Sequence, residues 1–137
     1  MTLIQRLFAL SILVLAATSS FAAGKSLTET ERQMLASYEA IRAELAADNL
    51  EAARATAGGM SDNANAAVIA RADSLNTARI AFKKLSAEAI ALAAGSPGFV
   101  IVHCPMVEAD WLQTSREISN PYLGKKMPTC GKVKSSP

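Results

Sequence analysis

Apolar residues recur at three- and four-residue steps through the Ala-rich stretch from Thr28 to Leu92, and that rhythm stops after Gly98. Met34, Tyr38, Ile41 and Leu45 make one such stripe. A strand cannot satisfy this period, because its faces alternate every second residue. Ser26-Leu-Thr-Glu29 and Thr28-Glu-Thr-Glu31 both match a capping box, which predicts a helix starting near Thr28. Asp48-Asn-Leu-Glu51 is another, so the first helix is expected to end near Ala47. A short second helix turns Leu50, Ala53 and Ala57 inward and stops at Gly58-Gly59. A third is expected over Asn63–Ala72, with Val68, Ile69 and Ala72 as its apolar side. The fourth runs from Ser74 through Ala78, Phe82, Leu85, Ala89 and Leu92, and Gly95-Ser-Pro-Gly98 closes it. Few aromatics and many alanines suit close helix packing. The expected class is all-α: an up-down four-helix bundle.

Phe99-Val-Ile-Val-His103 is β-branched and bounded by Gly98 and Pro105, which predicts a short extended segment. Pro105, Pro121, Gly124, Pro128 and Gly131 punctuate the remainder of the chain, with one helical turn expected at Asp110 or Thr114. This irregular tail lacks the apolar residues for a core of its own. It is expected to wrap the bundle, with Trp111 and Tyr122 as anchors.

The first 22 residues read as a secretory signal. Arg6 supplies the positive charge, Leu7 to Ala17 the apolar run, and Ser20 and Ala22 the small residues before cleavage. The run is about a dozen residues, short of the ~20 needed to span a bilayer. A periplasmic, soluble product is expected, with residues 23–137 forming one domain and no membrane insertion after cleavage. The chain carries 14 basic and 12 acidic residues, and removing Arg6 leaves a near balance. That balance argues against a nucleic-acid partner. The locally basic end (Lys125, Lys126, Lys132, Lys134) reads as a solvated face.

Sulfur gathers in the tail: Cys104 with Met106, then Met127 with Cys130. Pro105 favours an extended Cys104, and residues two apart on an extended chain share a face. Pro128 fits position i+1 of a β-turn that would bring Met127 and Cys130 within about 7 Å. Two thiolates and two thioethers suit Cu(I) or Ag(I) better than zinc, magnesium or calcium. His103 alternates away from Cys104 along a strand, which makes it a secondary ligand candidate. On residue chemistry alone the same cysteines, in an oxidising compartment, read first as a disulfide pinning the tail, with the methionines as packing, and second as a metal site.

The stretch His103-Cys-Pro-Met106, Asp110-Trp-Leu-Gln113, Asn120-Pro-Tyr-Leu-Gly124, Met127 and Cys130-Gly131 resembles an uncharacterised family of exported bacterial proteins. A similar domain is appended to periplasmic adaptor subunits of copper/silver efflux systems. Tyr38, Leu45-Ala-Ala-Asp48, Arg79, Phe82 and Leu85-Ser86 extend the likeness into the helices. His103 departs from a commonly aromatic position and Pro128 from a bulkier apolar one. The resemblance implies Cys104, Met106, Met127 and Cys130 as metal ligands, with Asn120, Pro121 and Tyr122 shaping the loop between the two halves and Gly124 part of its motif. It implies Cu(I) or Ag(I) as the ion and efflux-system envelope proteins as partners. The competing expectation is a disulfide-stapled interaction module without metal. No enzyme is expected, since His103 and Cys104 point apart and the cysteines lack Cys-x-x-Cys spacing.

Overall fold

The computed structural model describes residues 24–137. The expected signal at residues 1–22 lies outside the described residues.

Four helices pack in an up-down arrangement: α1 Glu29–Ala46, α2 Leu50–Gly58, α3 Ala64–Ala70 and α4 Leu75–Ala93. Each begins at the side chain of a capping residue. Thr28 and Glu31 form the complete capping box at α1, while Asn49, Asn63 and Ser74 accept from backbone amides at α2, α3 and α4. The inward faces carry Leu35, Tyr38, Ile41 and Leu45 from α1, and Phe82, Leu85 and Ala89 from α4. Alanines at 53, 57, 66 and 78 let the backbones approach.

Three local expectations are corrected. Asn49, not Asp48, caps α2, which frees Asp48 for another task. Helix α3 ends at Ala70, because Arg71 leaves helical geometry. Val68 is 43% exposed; Ala66 and Ile69 fill the inward face instead. A seven-residue helix presents only about two turns, so one residue of register decides which apolar side chain is buried.

The tail is more ordered than its composition suggests. Strands β1 Val100–Cys104, β2 Ala109–Gln113 and β3 Lys132–Ser135 form an antiparallel sheet with β1 central. Residues Pro105 to Glu108 make the hairpin turn, and Glu108 takes a left-handed φ of 46° to close it. Asp110 therefore lies on β2, paired with His103, and no helical turn starts there. A 3-10 turn at Gly124–Lys126 precedes β3. Among the described residues, no helix is long and apolar enough to cross a membrane.

A buried aromatic cluster joins sheet to bundle. Tyr38 stacks on Phe82 with centroids 5.0 Å apart, and Tyr122 lies between Phe82 and Trp111 at 5.9 Å from each. Such pairs contribute about 0.5–1.5 kcal/mol each beyond area burial. Their polar ends are satisfied: Ser86 Oγ lies 3.0 Å from Tyr38 Oη and accepts from Tyr122 Oη at 3.1 Å. Tyr38 Oη also accepts from the Leu112 amide, while Tyr122 Oη is within 2.9 Å of the Asp110 carbonyl. Burial pushes both phenols well above their ordinary range, so they stay neutral. Trp111 and Tyr122 are thus the expected anchors.

Candidate thiol site

Cys104 ends β1, and Cys130 immediately precedes Gly131 and β3. Strand pairing on either side of β1 brings them together: their sulfurs lie 3.1 Å apart. Cys104 is fully buried, while Cys130 is partly open to solvent. A disulfide would hold its sulfurs at about 2.05 Å. Both cysteines are free thiols, and the expected disulfide is corrected on that geometry.

The two thiols are not equivalent. Burial pushes Cys104 up, but hydrogen bonds from Cys130, the Met106 and Val107 backbone amides and the Asn120 side chain outweigh it and leave Cys104 lowered. Cys130 is raised, chiefly by its hydrogen bond to Cys104 and then by desolvation. The arrangement is a thiolate-leaning sulfur beside a proton-holding one. The amides reach Cys104 because the chain turns at Pro105 rather than continuing as a strand. This corrects the expected extended Cys104-Pro-Met106 segment.

Asn120 ties the site to the loop before it. It is fully buried, its Oδ1 accepts from the Tyr122 and Leu123 amides, and its Nδ2 donates to the Cys130 carbonyl at 2.7 Å. Its own amide donates to the Pro128 carbonyl at 2.8 Å. Asn-Pro thus opens a turn through Tyr122 to Gly124, and the Gly124 amide bonds back to the Asn120 carbonyl. Loop shape is the task that the resemblance implies for Asn120. Its contact with the thiol pair depends on non-local pairing.

The turn expected between Met127 and Cys130 forms. The Cys130 amide donates to the Met127 carbonyl at 3.2 Å, closing a turn with Pro128 and Thr129 at its centre. Met127 is half-buried, and Met106 stands 62% exposed on the hairpin turn. Gly131 fits this turn for a steric reason. Its φ is +151°, and a Cβ there would come within 2.9 Å of the Trp111 ring and 3.0 Å of Val102.

His103 is on the opposite face of β1, in line with the alternating burial of that strand. Its Nδ1 lies 2.7 Å from Asp110 Oδ1, and Lys134 donates to Asp110 Oδ2 at 3.0 Å. It does not join the cysteines. Among the described residues, no three His, Cys, Asp or Glu side chains converge, which corrects the expectation of a metal-binding cluster with His103 beside Cys104 and Cys130. The donors gathered here are two thiols, with thioethers on the two adjoining turns.

A latch outside the site holds the tail in place. Arg79 donates to the carbonyls of Pro121 and Leu45 and pairs with Asp48 at 2.6 Å. Asp48 also accepts from the Lys125 amide at 3.2 Å. Gly124 passes this pair with φ +55°, where a side chain would collide with the Asp48 carboxylate. Tyr38, Arg79, Phe82 and Ser86 from the helices, and Asp48 from the turn between α1 and α2, each contact the tail. No protein family, curated protein or solved structure matches this chain.

Proposed function

We propose that the chain is an exported protein that takes up a soft monovalent cation, Cu(I) or Ag(I), as cargo. It would buffer the ion in the periplasm or deliver it to an efflux complex of the envelope. The observation that carries the reading is the free Cys104–Cys130 pair, with sulfurs 3.1 Å apart and one of them stabilised toward thiolate. Thiolate and thioether donors select Cu(I) among common cations. A structural zinc site wants four ligands, and no third His, Cys, Asp or Glu stands beside the pair among the described residues. Calcium and magnesium want oxygen ligands, whereas the donors of this site are sulfurs. A low-coordinate d10 ion fits the donors present. Metal–thiolate bonds of roughly 2.3 Å mean that a bound ion would spread the two sulfurs modestly from their contact distance.

The export signal read at residues 1–22 supports the compartment. The tail's likeness to a domain on copper/silver efflux adaptors supports the choice of partner. Titration of reduced protein with Cu(I) against a competing chelator tests the reading. The expected outcome is one ion retained per chain, and loss of that retention in a Cys104→Ser, Cys130→Ser double variant. Equal retention by both proteins would contradict it.

A further inference from the structure

Cys104 is fully buried and its partner only partly open, so an ion arriving from solvent cannot meet the Cys104 sulfur first. Met106 stands directly in front of that difficulty. It is 62% exposed, the most open large apolar side chain among the described residues, and its backbone amide reaches the Cys104 sulfur. Neither packing nor turn chemistry accounts for it. Turns favour Gly, Asn, Asp, Ser and Pro, each for a backbone reason that methionine lacks. The hairpin already has its proline at 105 and its left-handed residue at Glu108. A long, flexible side chain carrying a soft donor is thus held in water, tethered by its own amide to the buried sulfur.

We infer that Met106 is the entry ligand of the site: its thioether captures the soft cation from solution and passes it inward to the Cys104–Cys130 pair. This rests on the soft-cation reading above. The thioether is a neutral donor and gives up the ion to thiolates, which bind it more strongly. The transfer breaks one metal–thioether bond and forms metal–sulfur bonds to the cysteines, the proton held by Cys130 passes to solvent, and no oxidation state changes. An entry ligand lowers the barrier in both directions. Its removal therefore slows loading and unloading together and leaves the equilibrium affinity nearly unchanged.

The experiment uses reduced protein and aqueous Ag(I), with loading followed by stopped flow and unloading followed by transfer to a chelator. Met106→Leu keeps the volume and apolar character of the turn, and Met106→Gln keeps its length while removing sulfur. Far-UV circular dichroism verifies folding of each. Both variants are expected to load and unload about tenfold more slowly, the lower end of what supporting groups contribute at metal sites, with unchanged stoichiometry. Wild-type rates in both variants would overturn the inference. So would a fall in affinity matching the fall in loading rate, because that marks a static ligand. Failure of the wild-type protein to retain Ag(I) would overturn the soft-cation reading itself, and the entry role with it.

Discussion

Asn120 concentrates more of the tail's order than any other single side chain. Four of its polar connections are internal: two amides received, one carbonyl capped and one backbone bond to Pro128. Truncating the side chain removes the first three and leaves the backbone bond, and each buried group left without a partner costs about 1–3 kcal/mol. Asn120→Ala should therefore lower unfolding stability by about 3 kcal/mol or more in urea, read as a shifted midpoint at constant slope. Asn120→Asp keeps the acceptor but sets a carboxylate oxygen against the Cys130 carbonyl in a fully buried site, and should be at least as damaging. At the latch, the hydrogen bond from Arg79 is the chief cause holding the Asp48 carboxyl below its ordinary range, with burial opposing it. A depressed folded-state value gives stability that is present above the unfolded value near 3.9 and lost as pH falls through the folded one. Acid titration of stability should therefore show a shallower loss below about pH 4 in Asp48→Asn than in wild type. An identical acid limb in the two proteins would count against the latch.

At the scale of elements, the helices and the central strand β1 were legible and the two strands flanking it were not. Capping residues and three-four spacing are local signals, so Thr28, Ser74 and the Tyr38–Ile41–Leu45 stripe place α1 and α4 to within a residue or so. The capping box read at Asp48 shifts by one residue to Asn49, since both side chain types can cap a helix. Arg79 pairs with Asp48 across the bundle, a contact that no local pattern announces. Strand β3 carries two lysines and only one apolar residue, and β2 includes Asp110, so neither reads as a strand by itself. Both form because β1 offers an edge on each side. The sulfur-bearing turn at Met127–Cys130 was legible from Pro128. The meeting of Cys104 with Cys130 was not, because it depends on β1 and β3 pairing across 26 residues. Gly131 tests that pairing. A Cβ there would press on Trp111, and φ +151° disfavours any L-residue. Gly131→Ala should destabilise the fold by more than 1 kcal/mol, roughly, and red-shift the emission of the only tryptophan as its ring is displaced.

For the whole molecule, the bundle and tail divide the work. Four helices supply the apolar core, and the aromatic cluster with Ser86 transmits its rigidity to a sheet that could not stand alone. Ser86→Ala would leave two buried phenols with one partner fewer each, at about 1–2 kcal/mol. Heat or urea should then unfold helices and tail in one transition, since the tail has no separate core. The thiol pair sits where the tail's two strands flank β1, so its geometry depends on the entire fold. X-ray absorption at the copper edge of reduced protein loaded with Cu(I) tests the functional account most directly. The account predicts a low-coordinate shell of sulfur only, at roughly 2.3 Å, that disappears in the Cys104→Ser, Cys130→Ser variant. A shell dominated by nitrogen or oxygen, or one unchanged in that variant, would contradict it.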